Sequence, residues 1–94
     1  MIKSFANSSL EKCWRYGDCK KVRPDLKRRI LMKLDSMDAA ICLDDLKNPP
    51  GNHLHPLQGK GYEGCWAISV SGPWRLVFTT KNGDIENVRL EQYH

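Results

Sequence analysis

His53, His55 and His94 are the side chains of this sequence that titrate near neutrality without help from their surroundings. His55 stands in Leu54-His55-Pro56-Leu57, and His94 follows Tyr93 in Glu91-Gln92-Tyr93-His94. Arg75 closes Gly72-Pro73-Trp74-Arg75, and Lys60 lies between two glycines. Histidines and an arginine are the side-chain types used in acid–base chemistry on phosphate esters, of which RNA cleavage without a metal is one example. There the ribose 2′-OH attacks the adjacent phosphate. A base takes the 2′ proton, donors hold the charge of the phosphorane, and an acid protonates the departing 5′ oxygen. His55 and His94 are the acid and base candidates, with their order open. Arg75 can pair with two phosphate oxygens at once. Tyr93 can stack on a base or donate a hydrogen bond. Gln92 can hydrogen-bond but cannot take a proton. His53, in the loop after Gly51, receives no role.

Each feature also has a plain reading. A histidine among apolar neighbours is more often packed than catalytic. Arg75 alternates with core residues, so it points away from the main core and could simply face solvent. Tyr93 and His94 lie where chains fray by default.

The 94 residues carry a net charge of +4. That length fits one domain over 1–94 with a lean core, in which three Trp residues are expected to carry much of the burial. The positive charge is concentrated. Residues 12–33 hold nine Lys/Arg against Asp18 and Asp25. A basic face of this kind suits a polyanion, either nucleic acid or an acidic protein. Its other reading is a solvated helix face. No apolar run reaches the roughly 18 residues of a membrane span, and the N-terminus lacks a signal-peptide core. A cytoplasmic protein is expected. Cys13, Cys19, Cys42 and Cys65 form no C-x-x-C pair, so a zinc site is not expected, and the thiols are expected to be reduced.

The elements that must position these residues follow from pattern. Ile2–Phe5 reads as a short strand. Asn7-Ser8-Ser9 offers N-cap candidates, and Ser8-x-x-Glu11 has capping-box spacing, before a short helix that stops at Gly17. Pro24 opens a second helix, from Asp25 to about Met37, with Leu26, Ile30, Leu34 and Met37 on one side. Asp38–Leu46 reads as a shorter helical piece. Asn48-Pro49-Pro50-Gly51-Asn52 then breaks the chain. Beyond it, Leu54–Leu57, Cys65–Val70 and Trp74–Thr79 read as strands, and Asn82-Gly83 signals a hairpin into a last strand from Ile85. The expected fold is α+β: an N-terminal strand, two or three helices, and a three- to four-stranded antiparallel sheet with helices on one face.

Taken together, Met-Ile-Lys-Ser-Phe at the start, Leu-His-Pro-Leu-x-Gly in the middle, Trp-x-Ile-x-Val and Trp-Arg-Leu-x-Phe in the strands, and the final Tyr-His resemble the HigB toxins. These belong to the RelE/ParE superfamily of type II toxin–antitoxin systems. Leu34-Asp35, Asp38-Ala39-Ala40 and Asp45 to Gly51 are similar as well, so the resemblance spans the chain. It implies a RelE-like fold and a ribosome-dependent mRNA endonuclease. It implies no cofactor, and a partner in a HigA-like helix-turn-helix antitoxin through which alone operator DNA would be reached. It places His55, Arg75, Tyr93 and His94 at matching functional positions. The family often has Lys at Gln58, Arg at Ser69 and Asp at Gln92, so a carboxylate role does not carry over to Gln92. On this reading Lys20, Lys21, Arg23, Lys27, Arg28 and Arg29 are candidates for ribosome contacts, and Lys60 is a candidate extra cation. Two other functions stay open: a ParE-like gyrase poison without catalysis, and a degenerate toxin that keeps only antitoxin binding.

Overall fold

The structure, a computed structural model, describes residues 1–92. Helix α1 spans Ser8–Tyr16 and α2 spans Lys27–Ala39. Two 3-10 turns, Leu43–Lys47 and Pro50–Asn52, lead into strands β1 (His55–Pro56), β2 (Cys65–Ser71), β3 (Trp74–Lys81) and β4 (Asp84–Gln92). The strands form one antiparallel sheet in the order β1-β2-β3-β4. The α+β expectation holds.

Local chemistry sets the helix ends. Of the candidates Asn7-Ser8-Ser9, Asn7 caps α1, and the Ser8 box does not form: the Asn7 side chain accepts from the Leu10 N–H at 3.1 Å. Glu11 instead reaches forward one turn to Arg15 at 2.8 Å. Gly17 ends the helix in the left-handed region, at φ 75°. That reversal carries Cys19 back against α1, and Cys13 and Cys19 form a disulfide with Cα atoms 4.2 Å apart. The expectation of reduced thiols fails for this pair; Cys42 and Cys65 are free. α2 begins two residues later than expected and runs on to Ala39, so the third helical piece shrinks to the 3-10 turn Leu43–Lys47.

Ile2–Phe5 contributes two parallel bridges to the edge of β4, Ile2 to Ile85 and Phe5 to Val88, rather than a full strand. The core lies between this segment, the helices and one sheet face. Leu10, Ile30, Leu34, Met37 and Leu46 meet Ile68, Leu76, Phe78 and Val88 there, all at most 2% exposed. Trp14, Trp66 and Trp74 are only partly buried at its margin, contrary to expectation. Fully burying a ring of that size needs more core than a chain this short encloses.

One irregularity decides which residues face away from the helices. The Asn82-Gly83 turn pairs Thr79 with Glu86, but Val77 pairs with Arg89. β4 therefore has one extra residue across that step, a β-bulge. Asn87 takes the left-handed conformation at φ 57°, donates its backbone N–H to Ser4 Oγ at 2.9 Å and donates from Nδ2 to Thr79 Oγ1 at 3.0 Å. Past the bulge, Val88 and Leu90 turn to the helices, and Arg89 and Glu91 turn to the other side.

Candidate functional site

The sheet face away from the helices gathers the chemistry. Directly paired strand residues share a face. His55, Ala67, Val77 and Arg89 thus form one row across all four strands, and Ser69, Arg75 and Glu91 form the next row on that face. Adjacent strands lie ~4.8 Å apart, so His55 and Val77 are separated by ~10 Å. Imidazole and guanidinium can both reach into such a gap. Leu57 and Tyr62 fold over this face and pack against Cys65, Ala67 and Val77. The loop is closed by backbone bonds from Tyr62 to Gly59 and from Cys65 to Tyr62.

His55 is half-buried, and its orientation is fixed by a residue that the sequence reading set aside. His53 adopts the left-handed conformation at φ 49° after the Pro50–Asn52 turn. Its carbonyl lies 2.6 Å from His55 Nδ1. A carbonyl only accepts, so the proton sits on Nδ1 and the lone pair of the neutral ring lies on Nε2.

Arg75 does not face solvent; it is 9% exposed. Its Nη2 lies 3.5 Å from Glu91 Oε1. Arg89 Nε donates to the other oxygen of the same carboxylate, and the Tyr62 hydroxyl donates to Oε1 at 2.7 Å. Both guanidinium carbons sit over the Tyr62 ring, 5.8 Å and 5.7 Å from its centre. Burial pushes the Glu91 carboxyl up, but the hydrogen bonds from Arg89 and Tyr62 and the nearby charge outweigh it and hold its pKa below the ordinary carboxylate value. Arg89 is pushed down by burial, but the hydrogen bonds and charge of Glu91 and Cys65 together outweigh it and raise its pKa. Arg75, Arg89 and Glu91 together carry one positive charge. Such a cluster can accept a monoanion with the geometry of a phosphodiester.

The other candidates are distributed as follows. Gln92 pairs with Trp74, which puts it on the helix side, away from Arg75 and Glu91. Tyr93 and His94 lie outside the described residues. Lys60 is exposed in the loop that carries Tyr62. Lys20, Lys21, Lys27 and Arg28 are exposed around the connection between the helices. Arg23 is engaged: it pairs with Asp25 at 2.9 Å and lies over the Trp74 ring at 5.3 Å. Arg29 donates to Ser71 Oγ at 3.1 Å. The basic connection therefore reaches the β2–β3 turn, beside the end of the sheet that holds Arg75. Tyr62, Arg89 and Glu91 were missed by the sequence reading. Only the period of two in β4, carried through the bulge, could have pointed to the last two.

The family model for the RelE-like toxin HigB of type II toxin–antitoxin systems matches residues 3–94. The chain belongs to the HigB-like toxin family. This HigB-like toxin is 36% identical to the endoribonuclease HigB of Proteus vulgaris over the full length of both. It is 32% identical to toxin HigB-1 of Vibrio cholerae over 83% of this chain and 84% of that one. It is also 30% identical to an uncharacterized protein of Haemophilus influenzae over 95% of this chain and 88% of the other. The open antiparallel sheet with two helices on one face is consistent with a RelE-like fold.

Proposed function

We propose that this chain is an endoribonuclease toxin that cleaves mRNA in the ribosomal A site and is neutralised by a HigA-like antitoxin. The observation that carries the reading is the pair of rows on the open sheet face, with His55 in one and Arg75 in the other, in a chain whose full-length relative is named an endoribonuclease.

In this mechanism the lone pair on His55 Nε2 takes the proton from the 2′-OH. The 2′ oxygen bonds to phosphorus, and the bond from phosphorus to the 5′ oxygen breaks. His94 donates a proton to that leaving oxygen. The products are a 2′,3′-cyclic phosphate and a 5′-hydroxyl. Arg75 holds the equatorial oxygens as charge grows on them. Tyr93 stacks on a neighbouring base. The His53 carbonyl supports His55 as the base, because it keeps the proton on Nδ1. Lys20, Lys21, Lys27 and Arg28 dock on ribosomal RNA, with Arg23 and Arg29 at the margin of that contact and Lys60 near the cleavage face. An acidic segment of the antitoxin would compete for the same charges.

The test is induction in a growing bacterium with mapping of transcript 5′ ends. In-frame cuts that vanish when translation is blocked are the expected result. His55→Ala should lose at least about 100-fold in cleavage, the range for one acid–base group, while keeping its thermal melt. Intact mRNA with inhibited DNA supercoiling would replace this reading with the gyrase-poison one. Antitoxin binding without growth arrest would favour a degenerate toxin.

A further inference from the structure

We propose that Arg89 is a second phosphate-binding residue of the RNA site and that Glu91 is the positioning residue that holds Arg75 and Arg89 together. The inference rests on the endoribonuclease reading above.

The geometry is that of a clamp with one carboxylate at its hinge. Glu91 meets Arg75 through Oε1 and Arg89 through Oε2, so one side chain sets the spacing of two guanidinium groups. Tyr62 fixes the same carboxylate from a third direction and forms an aromatic wall under both cations. Arg89 shares a cross-strand row with His55. A cation there is aligned with the proposed base, one row from Arg75. Arg89 commits Nε to Glu91 and a further donor to Cys65, and of the five N–H groups of a guanidinium the others can meet an acceptor such as a phosphate oxygen. Its side chain is 27% exposed, against 11% for Arg75. Arg89 is thus the member of the pair that a polymer phosphate reaches from solvent, and Arg75 is the one beneath it. The cluster's single positive charge is neutralised by one phosphodiester.

The experiment is single-turnover cleavage of a short mRNA held in ribosomes, with toxin concentration and salt varied. Arg89→Ala should raise the half-saturating concentration about tenfold and lower the slope of log affinity against log salt by about one. Arg89→Lys should keep the salt slope but recover only part of the affinity, because an ammonium lacks the planar fork that lies on Tyr62. Glu91→Gln should lower the limiting rate about tenfold by releasing Arg75, with part recovered in Glu91→Asp. If Arg89→Ala fails to fold, Arg89→Gln takes its place. Wild-type affinity and salt slope in a folded Arg89 variant would overturn the phosphate role. A wild-type limiting rate in folded Glu91→Gln would overturn the positioning role. His55→Ala and Arg75→Ala are run alongside. If both cleave normally, the endoribonuclease site itself is misplaced; if both are inactive while Arg89 and Glu91 variants behave as wild type, only the clamp is wrong.

Discussion

Glu91 shows how one side chain can be tied to both stability and chemistry. Its folded pKa lies below the unfolded value. In the window between the two, the unfolded chain holds more protons, so stability rises with pH there. The contribution is complete above about pH 4.3, the ordinary glutamate value, and fades as pH falls through the lower folded one. Glu91→Gln exchanges charge-assisted hydrogen bonds for neutral ones and should cost about 1–2 kcal/mol near pH 7, or roughly 5–10 °C in Tm. The gap to wild type should narrow in thermal melts taken at successively lower pH below the ordinary carboxylate range. A gap that stays constant across pH would mean that the amide disturbs packing rather than charge. At this scale the sequence was only partly legible. His55 and Arg75 announce themselves, because histidine and a strand-borne arginine carry obvious chemistry. Tyr62 and Glu91 do not: they are ordinary polar residues 29 positions apart in the chain, and only strand register unites them.

The elements were legible wherever a local rule governs them. The stripe of Leu26, Ile30, Leu34 and Met37 marks α2, and Asn82-Gly83 marks the β3–β4 turn, where both residues have positive φ. The bulge was not legible, since Ile85 and Val88 lie three apart, which breaks the strand period of two and by itself reads as a helical step. Gly17, at the end of α1, and Gly83, in the β3–β4 turn, separate two physical effects. Gly17 lies at φ 75° with open space where a Cβ would stand. Gly83 lies at φ 84°, and a Cβ there would come within 2.8 Å of the Ile41 carbonyl oxygen. Gly17→Ala should cost about 1–2 kcal/mol, the strain of a left-handed backbone alone. Gly83→Ala adds a steric conflict of about 1–3 kcal/mol, because a backbone atom cannot rotate aside. Chemical denaturation of the two variants should show Gly83→Ala as the more damaged; equal losses would rule out the contact with Ile41.

Across the molecule, charge and chemistry occupy different surfaces that share one end. The helices cover one sheet face, and the clamp occupies the other. The basic connection between α1 and α2 reaches around to the β2–β3 turn through Arg23 on Trp74 and Arg29 on Ser71. Composition alone showed a positive segment but not that it ends beside Arg75. Replacing Lys20, Lys21, Lys27 and Arg28 with Ala should weaken ribosome binding at least about 100-fold and flatten its salt dependence by about three charges. Thermal stability should stay within a few degrees, since all four are exposed. Ribosome co-sedimentation at several salt concentrations measures this, and an unchanged salt slope would assign the segment to another partner.

The bulge at Asn87 has a further consequence, one of parity. Zipped regularly from the Asn82-Gly83 turn, β4 would set Leu90, not Glu91, opposite Arg75. Val88 and Leu90 would then line the face that holds His55 and Arg75, and Arg89 and Glu91 would take the places of Leu90 and Gln92 on the helix side. That alternative hairpin is a single step away along the chain. It must put the Arg89 charge into the half-buried place of Leu90, and strip the fully buried Val88 of cover worth about 1.5–3 kcal/mol. The charges that would grip RNA in the finished protein thus act earlier as a proofreader of strand alignment. They reject the wrong hairpin before any substrate is present.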